Sequence, residues 1–416
     1  AADHNQLTME LMQKVAHRHG MVCLLHEKPF SWVNGSGKHD NWSIATRDGV
    51  NLLDPGTTPF ENAQFLLFLC AVLKAVNEYQ DLLRVTVARA ANDHRLGANE
   101  APPAIVSVYV GDELEAVLDA IAHEQEHISG ERQPFKVGVS VLPRFPKDST
   151  DRNRTSPFAF TGNKFEFRMP GASQSISGPN VALNTIVAEE LRKFADRLEA
   201  AEDFDAALHD LIHETVVENR RIVFNGNGYD DAWVAEAERR GLLNLRTTPD
   251  ALPYYISEKN IRLFEEHKVF SGAEVHSRYE IHQESYAKTI KIEALTMTDM
   301  VRKDVLPAVS AFTGKLARDA AAKKAMGELA DLSYETAAVK RLSELMGMAV
   351  KTVNDLDSAI VESAGIASRE ELSVFCRDSI LAAMNELRIY VDEMETMTSA
   401  EYWPYPSYGD ILFSVR

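Results

Sequence analysis

The stretch His26-Glu27-Lys28-Pro29-Phe30-Ser31-Trp32-Val33-Asn34-Gly35-Ser36-Gly37-Lys38-His39-Asp40-Asn41-Trp42-Ser43 decides how the chain is read. Two apolar or aromatic runs flank Asn34-Gly35-Ser36-Gly37, and a lysine and a histidine follow at once. Glycines at 35 and 37 allow positive φ and a close approach of backbone to ligand. Asn34-Gly35 is also a short-turn signal. The stretch therefore offers backbone N–H groups and one metal-ligating imidazole, His39. Gly37-Lys38 resembles the end of a phosphate-binding P-loop. That motif needs Ser or Thr after the lysine and a glycine five positions before Gly37. The chain has His39 and Trp32 there, which excludes it. An ordinary hairpin turn with a solvated histidine remains open on local sequence alone.

Outward from this stretch, composition sets limits. The chain has 416 residues, enough for two or three domains with a sizeable core. It is 45% hydrophobic and 25% charged, as in ordinary globular proteins. The net charge of −18 and the lack of a long basic run argue against a nucleic-acid partner. Cys23, Cys70 and Cys376 are far apart and form no CxxC pair. They read as reduced thiols of a cytoplasmic protein. No apolar run approaches a membrane span.

Leu7, Leu11, Met12 and Val15 predict an amphipathic helix over 3–20, closed by Gly20. Met21–Leu25 has strand character. Asp48-Gly49 predicts a turn. Residues 57–79 predict a buried helix through Phe65, Leu69, Val72 and Val76, with a Thr58/Glu61 capping box and Pro59 at its first position. A polar loop over 92–103 precedes a strand at 104–110, a helix over 112–127, a linker over 128–135 and an alternating strand at 137–142. In Phe165-Glu166-Phe167-Arg168 the two charges share one face. From Val181 helices dominate: 181–201, 203–219, 230–240, 258–268, 272–326, 328–364 and 368–397. The tail from Glu401 to Asp410, aromatic and proline-bearing, predicts an extended, non-helical arm. The fold class is thus α+β. Its first domain spans 1–180, with an inserted αβ segment near 103–145, and a helical region spans 181–416.

Two sets of residues suggest chemistry. His123-Glu124-Gln125-Glu126-His127 fits H-E-x-x-H, with two imidazoles at i and i+4 and a glutamate beside them. It makes a zinc peptidase the rival function, against the plainer reading of an acidic, solvated helix end. No G-x-x-H extension follows. The second set is the arginines at 95, 154 and 168, whose planar forks suit carboxylates and phosphates. Singly, each would read as a surface ion pair. A third class is non-catalytic, with 181–416 as an assembly module built of amphipathic helices.

Glu27-Lys28-Pro29 with Gly37-Lys38-His39-Asp40-Asn41-Trp42-Ser43 resembles the metal- and glutamate-binding loop of glutamine synthetases, closest to the type III branch. The resemblance continues downstream in order and through the C-terminal arm. It implies ATP-dependent amidation of glutamate by ammonium, in nitrogen assimilation, with Mg²⁺ or Mn²⁺ as cofactor and ATP as co-substrate. It further implies His39 and Glu166 as metal ligands, and Asn34, Gly35, Arg95 and Arg168 around glutamate. Glu100, in Asn99-Glu100-Ala101-Pro102, becomes a flap carboxylate that takes a proton from ammonium, and Arg154 steadies the transferring phosphoryl group. Ser43, Arg154 and Lys164 lie near ATP. Partners would be identical subunits in a double-ring dodecamer. There are two departures from the family pattern: Ser156-Pro157-Phe158-Ala159-Phe160 lacks a second arginine, and Lys164 replaces one. Further metal-binding glutamates and a β-grasp domain would precede Ala1. The expectation is therefore a C-terminal part, inactive alone.

Overall fold

The computed structural model describes residues 1–30, 33–97, 101–123, 155–327 and 330–412. Packing divides the chain into two compact units, Ala1–Tyr279 and Glu280–Arg416. The change of character near Val181 coincides with the start of a helix at Ser177. The expected α+β class is observed, with helix far outweighing strand.

The first unit opens with α1 (Ala2–Arg18), of which only Met9 is buried. Its expected stripe of Leu7, Leu11, Met12 and Val15 is 46–53% exposed. Met21–Leu25 forms no strand, and Met21, Val22 and Leu24 are exposed. With no strand beside it to accept its N–H groups, an apolar run has no reason to stay extended as sheet. The turn at Asp48-Gly49 forms, with φ +87° at Gly49.

A four-stranded sheet has the order β1-β4-β3-β2, from β1 (Asp40–Trp42), β2 (Val108–Tyr109), β3 (Phe158–Phe160) and β4 (Phe165–Phe167). β1/β4 and β3/β4 are antiparallel, and β2/β3 is parallel. The strand expected over 104–110 shrinks to β2. In β4, Phe165 and Phe167 turn into the core with no exposed surface, which sends Glu166 and Arg168 to the opposite face. Phe158 stacks on Phe165 at 4.8 Å between ring centres.

α2 (Ala63–Glu78) packs behind the sheet, with Phe65, Leu69, Val72 and Val76 fully buried as expected. Each such side chain contributes roughly 1.5–3 kcal/mol of transfer free energy. The expected capping box does not form. Pro59–Glu61 is a 3₁₀ turn without a side-chain cap, and Asn62 caps α2 instead, accepting the Phe65 N–H at 3.0 Å. Two short helices follow, α3 (Gln80–Thr86) and α4 (Ala90–Asp93). The start of the expected 92–103 loop therefore belongs to α4. α5 (Asp112–His123) comes next, and the remainder of the expected 112–127 helix, the linker and the 137–142 strand lie outside the described residues. α6 (Ser177–Glu199), α7 (Phe204–Asn219), α8 (Asp231–Arg239), α9 (Thr248–Ala251) and α10 (Glu258–Glu266) complete the layer over α2 and α3.

The second unit is helical. The run expected over 272–326 is α11 (Gly272–Met300), one π turn at Val301–Val305, and α12 (Leu306–Lys324). Pro307, which has no N–H to give, explains the change of ladder. α13 (Ser333–Ser363), α14 (Arg369–Phe375) and α15 (Leu381–Met397) follow, with a second π turn at Cys376–Ile380 that no proline explains. Leu342, Leu345, Ala349, Val353 and Leu356 form the α13 seam, all at or below 1% exposure. The tail packs on this unit through Tyr405, whose hydroxyl donates to Asp304 Oδ2 at 2.8 Å. It is not wholly extended: α16 (Tyr408–Leu412) forms once the prolines are passed. Ser407 and Asp410 cap it reciprocally, the Ser407 N–H donating to Asp410 Oδ2 at 2.8 Å. Among the described residues, no helix is long and apolar enough to cross a membrane.

Candidate functional site

Antiparallel pairing of β1 with β4 sets Asn41 opposite Glu166 and Asp40 opposite Phe167. This register brings His39, just before β1, to Glu166. His39 Nδ1 stands 3.4 Å from Glu166 Oε2. Arg168 reaches the same oxygen through Nε at 3.2 Å and Nη2 at 3.1 Å. The shared face expected for Glu166 and Arg168 is thus seen directly. Partial burial lowers the His39 pKa, and the Arg168 charge lowers it further against the opposing pull of Glu166. Both effects favour the neutral imidazole, the form that ligates metals.

Arg95 lies beneath, 4% exposed. Nη1 donates to Asn92 Oδ1 at 3.2 Å and the Met169 carbonyl at 3.1 Å, and Nη2 to the Arg168 carbonyl at 3.0 Å. Burial brings its pKa down to about 10. The glycine loop lies directly over this guanidinium. A Cβ at Gly35 would stand 2.8 Å from Cγ of Arg95, and one at Gly37 would overlap the guanidinium itself. Neither glycine takes positive φ, so lack of room, not backbone conformation, requires glycine here. Nor are all the loop's N–H groups open to a ligand. Ser36 N–H bonds the Glu27 carbonyl at 2.8 Å, and Lys38 N–H the Pro170 carbonyl at 2.8 Å. Asn34 is exposed on the outer side of the loop.

Ser43 and Lys164 sit at the other end of the sheet. Ser43 Oγ donates to Asn51 Oδ1 at 2.8 Å, and it also contacts the carbonyl of Asn163, next to Lys164 in the β3–β4 turn. Glu100 and Arg154, with Glu124 and His127 of the histidine motif, lie outside the described residues. His123 ends α5, its Nδ1 2.6 Å from the Asp119 carbonyl. Thr155, next to Arg154, accepts the Gly228 N–H through Oγ1 at 2.8 Å. Sequence reading passed over that Asn225–Tyr229 loop. Glu27 and Asp40 stand in the 26–43 stretch and Asn92 in the 92–103 loop with no individual role read for them; each is 5% exposed or less. The Asn225-Gly226-Asn227-Gly228 run was the available signal for the loop. Elsewhere in the first unit a cleft of about 600 Å³ is lined by Glu115, Arg220, Asn225 and Arg240. Its arginines are engaged: Arg220 with Glu115 and Asp119, Arg240 with Glu236.

Can this rim hold a divalent ion? The 3.4 Å between His39 Nδ1 and Glu166 Oε2 is close to the roughly 3 Å separating neighbouring donors on an octahedral ion. One imidazole and one carboxylate suit Mn²⁺ or Mg²⁺. Among the described residues no group of three His, Cys, Asp or Glu converges. The pair offers two donors at the spacing of neighbouring positions on such an ion.

Comparison with known proteins gives the same direction. Residues 1–127 match the family described as glutamine synthetase, catalytic domain, and residues 207–324 the glutamine synthetase C-terminal domain. A glutamine synthetase of Butyrivibrio fibrisolvens is 45% identical over 100% of this chain and 59% of its own length. A type-3 glutamine synthetase of Dictyostelium discoideum is 43% identical over 99% of this chain and 57% of its own length. For a glutamine synthetase of Bacteroides fragilis (strain YCH46) the identity is 35%, over 100% and 58%. The chain spans under three-fifths of each relative's length. With two glutamine synthetase domains matched in order, and relatives that include a type-3 enzyme aligned end to end with it, the chain belongs to the glutamine synthetase family.

Proposed function

We propose that the protein containing this chain is a glutamate–ammonia ligase that forms glutamine from glutamate, ammonium and ATP. One observation carries the reading: a single strand register assembles His39, Glu166 and Arg168 on one rim, with Arg95 directly beneath the glycine loop. His39 and Glu166 would hold Mg²⁺ or Mn²⁺. The metal, when bound, draws negative charge from the phosphates so that an anionic carboxylate oxygen can approach phosphorus. Arg168 orients Glu166 and would face a glutamate carboxylate. Arg95, fixed by three backbone and side-chain acceptors, forms a rigid cationic floor for the other carboxylate. Asn34 and Gly35 border the glutamate amino group.

The chemistry divides into two displacements. A γ-carboxylate oxygen of glutamate attacks the terminal phosphorus of ATP, and ADP leaves. Ammonia then attacks the acyl carbon of γ-glutamyl phosphate, and phosphate leaves. Arg154 would neutralise the transferring phosphoryl group, and Glu100 would accept the proton that ammonium gives up. Ser43 and Lys164, at the far end of the sheet, would border ATP. The resemblance further supports a cytoplasmic homo-oligomer, a double ring of twelve subunits.

The test is phosphate release from ATP by the protein expressed from its natural gene, with glutamate, with and without ammonium. Release that depends on both substrates is expected. His39→Ala should cut turnover by a factor on the order of 10³, with the thermal midpoint nearly unmoved because the side chain is 55% exposed. Full activity in that variant would sink the site.

A further inference from the structure

Glu27 has no part in the chemistry above, yet it is 1% exposed and ionisable. It lies between two segments that frame the rim, the glycine loop and the chain just after β4. Its carbonyl accepts the Ser36 N–H at 2.8 Å. Its Oε1 accepts the Ser173 N–H at 2.9 Å and the Ser173 hydroxyl at 2.7 Å. Gly171 closes over the carboxylate so tightly that a Cβ there would overlap it. Gly171 is bridged to Gly37 across the same gap, and its N–H donates to Gln174 Oε1 at 2.7 Å. The Lys38 ammonium reaches over to the Gln174 carbonyl. Glu27 Oε2 is buried with no partner among the described residues.

A buried carboxylate with one unsatisfied oxygen is costly to keep. What the residue joins is informative: its main-chain carbonyl holds the backbone that leads to His39, and its carboxylate holds the backbone that follows Arg168. It also lies close enough to Lys38 and Arg95 to interact with both charges.

We propose that Glu27 is a positioning residue of the synthetase reaction. It clamps the Gly35–His39 loop to the Gly171–Gln174 segment, and so sets both the His39–Glu166 spacing and the seat of the glycine loop on Arg95. The inference rests on the ligase reading for its kinetic consequence. The clamp itself is testable without it. In Glu27→Ala the peptide spanning residues 33–39 should exchange its amide hydrogens at least tenfold faster, with α2 peptides unchanged. In the same variant the glutamate KM and the half-saturating Mg²⁺ concentration should each rise at least tenfold, while kcat at saturation falls less than threefold. Glu27→Gln, which keeps an acceptor for Ser173, should recover most of both effects. Ser173→Ala should show them in weaker form, and it carries the test if Glu27→Ala does not fold. Unchanged exchange over 33–39 overturns the clamp. A lowered thermal midpoint with unchanged KM values overturns the positioning role. An inactive parent protein in which Glu27→Ala still speeds exchange removes the ligase reading and supports the clamp.

Discussion

The rim around His39 and the helices beyond Glu280 handle charge in opposite ways. On the rim, Arg95, Arg168, Glu27 and Asp40 are each 5% exposed or less, and hydrogen bonds hold them to strand and loop backbone or to neighbouring side chains. Behind the rim, Arg84 is 1% exposed and reaches the Leu245 carbonyl at 2.7 Å and Asp93 at 3.1 Å. In the helical unit, apart from buried Glu335, which pairs with Lys323, the ion pairs lie nearer the surface. Arg341–Glu393 and Lys315–Asp319 are ion pairs between groups 37–44% exposed. The helical unit is held by an apolar seam and merely decorated with charge. The first unit places charge where removing one partner strands the other.

Four substitutions sharpen this contrast, in falling order of effect. Arg84→Ala takes the cation from Asp93, which keeps only its bonds from Thr248, and leaves the Leu245 carbonyl without its donor; it should cost about 3–5 kcal/mol in urea unfolding of the first unit. A loss under about 1 kcal/mol would mean that Asp93 finds water or neutralises cheaply. Asn62→Ala removes the α2 cap and should cost about 1 kcal/mol, read as a shift in midpoint without a change in slope. The third concerns acid. Glu189 is held at a pKa of about 2: burial would raise it, but hydrogen bonds from Arg192 and His267 outweigh burial. Its folded pKa lies below the ordinary 4.5, so its stabilisation is complete above about pH 4.5 and is lost as pH falls toward 2. Glu189→Gln should flatten that limb of a stability–pH curve; an unchanged limb would assign it to other carboxylates. Last, Arg341→Ala in the helical unit should leave the urea midpoint where it was, since exposed pairs are screened. A clear destabilisation there would erase the distinction between the units.

The same contrast explains what could be read from sequence. Periodicity at 3.6 residues found α1, α6, α7, α8 and α10 to within about four residues, and α2 and α13 with starts five or six residues early, because each carries its signal locally. β2 has two residues and β1, β3 and β4 three each, so alternation showed only in β4, through Phe165-Glu166-Phe167-Arg168, and β2 was read within a longer run. Their existence depends on partners far along the chain. Met21–Leu25 had the composition of a strand and found no partner. Thr58 and Glu61 had the spacing of a cap, but the helix proper waits for Asn62. The meeting of His39, Glu166 and Arg168 was accessible only through resemblance, since no local pattern joins residues so far apart. Glu27 was in the quoted stretch, yet its partners Ser173 and Gly171 lie where nothing local points.

The pairing of β1 with β4 also sets a timetable. Asp40 must find Phe167, and about 125 residues separate them. At 5–20 residues per second on a ribosome, His39 leaves the exit tunnel roughly 6–25 s before the strand that will position it. During that interval the glycine loop has no floor beneath its far side. The order of synthesis therefore leaves the rim incomplete until β4 has emerged, and a slowdown in translation between residues 42 and 165 would prolong its exposure.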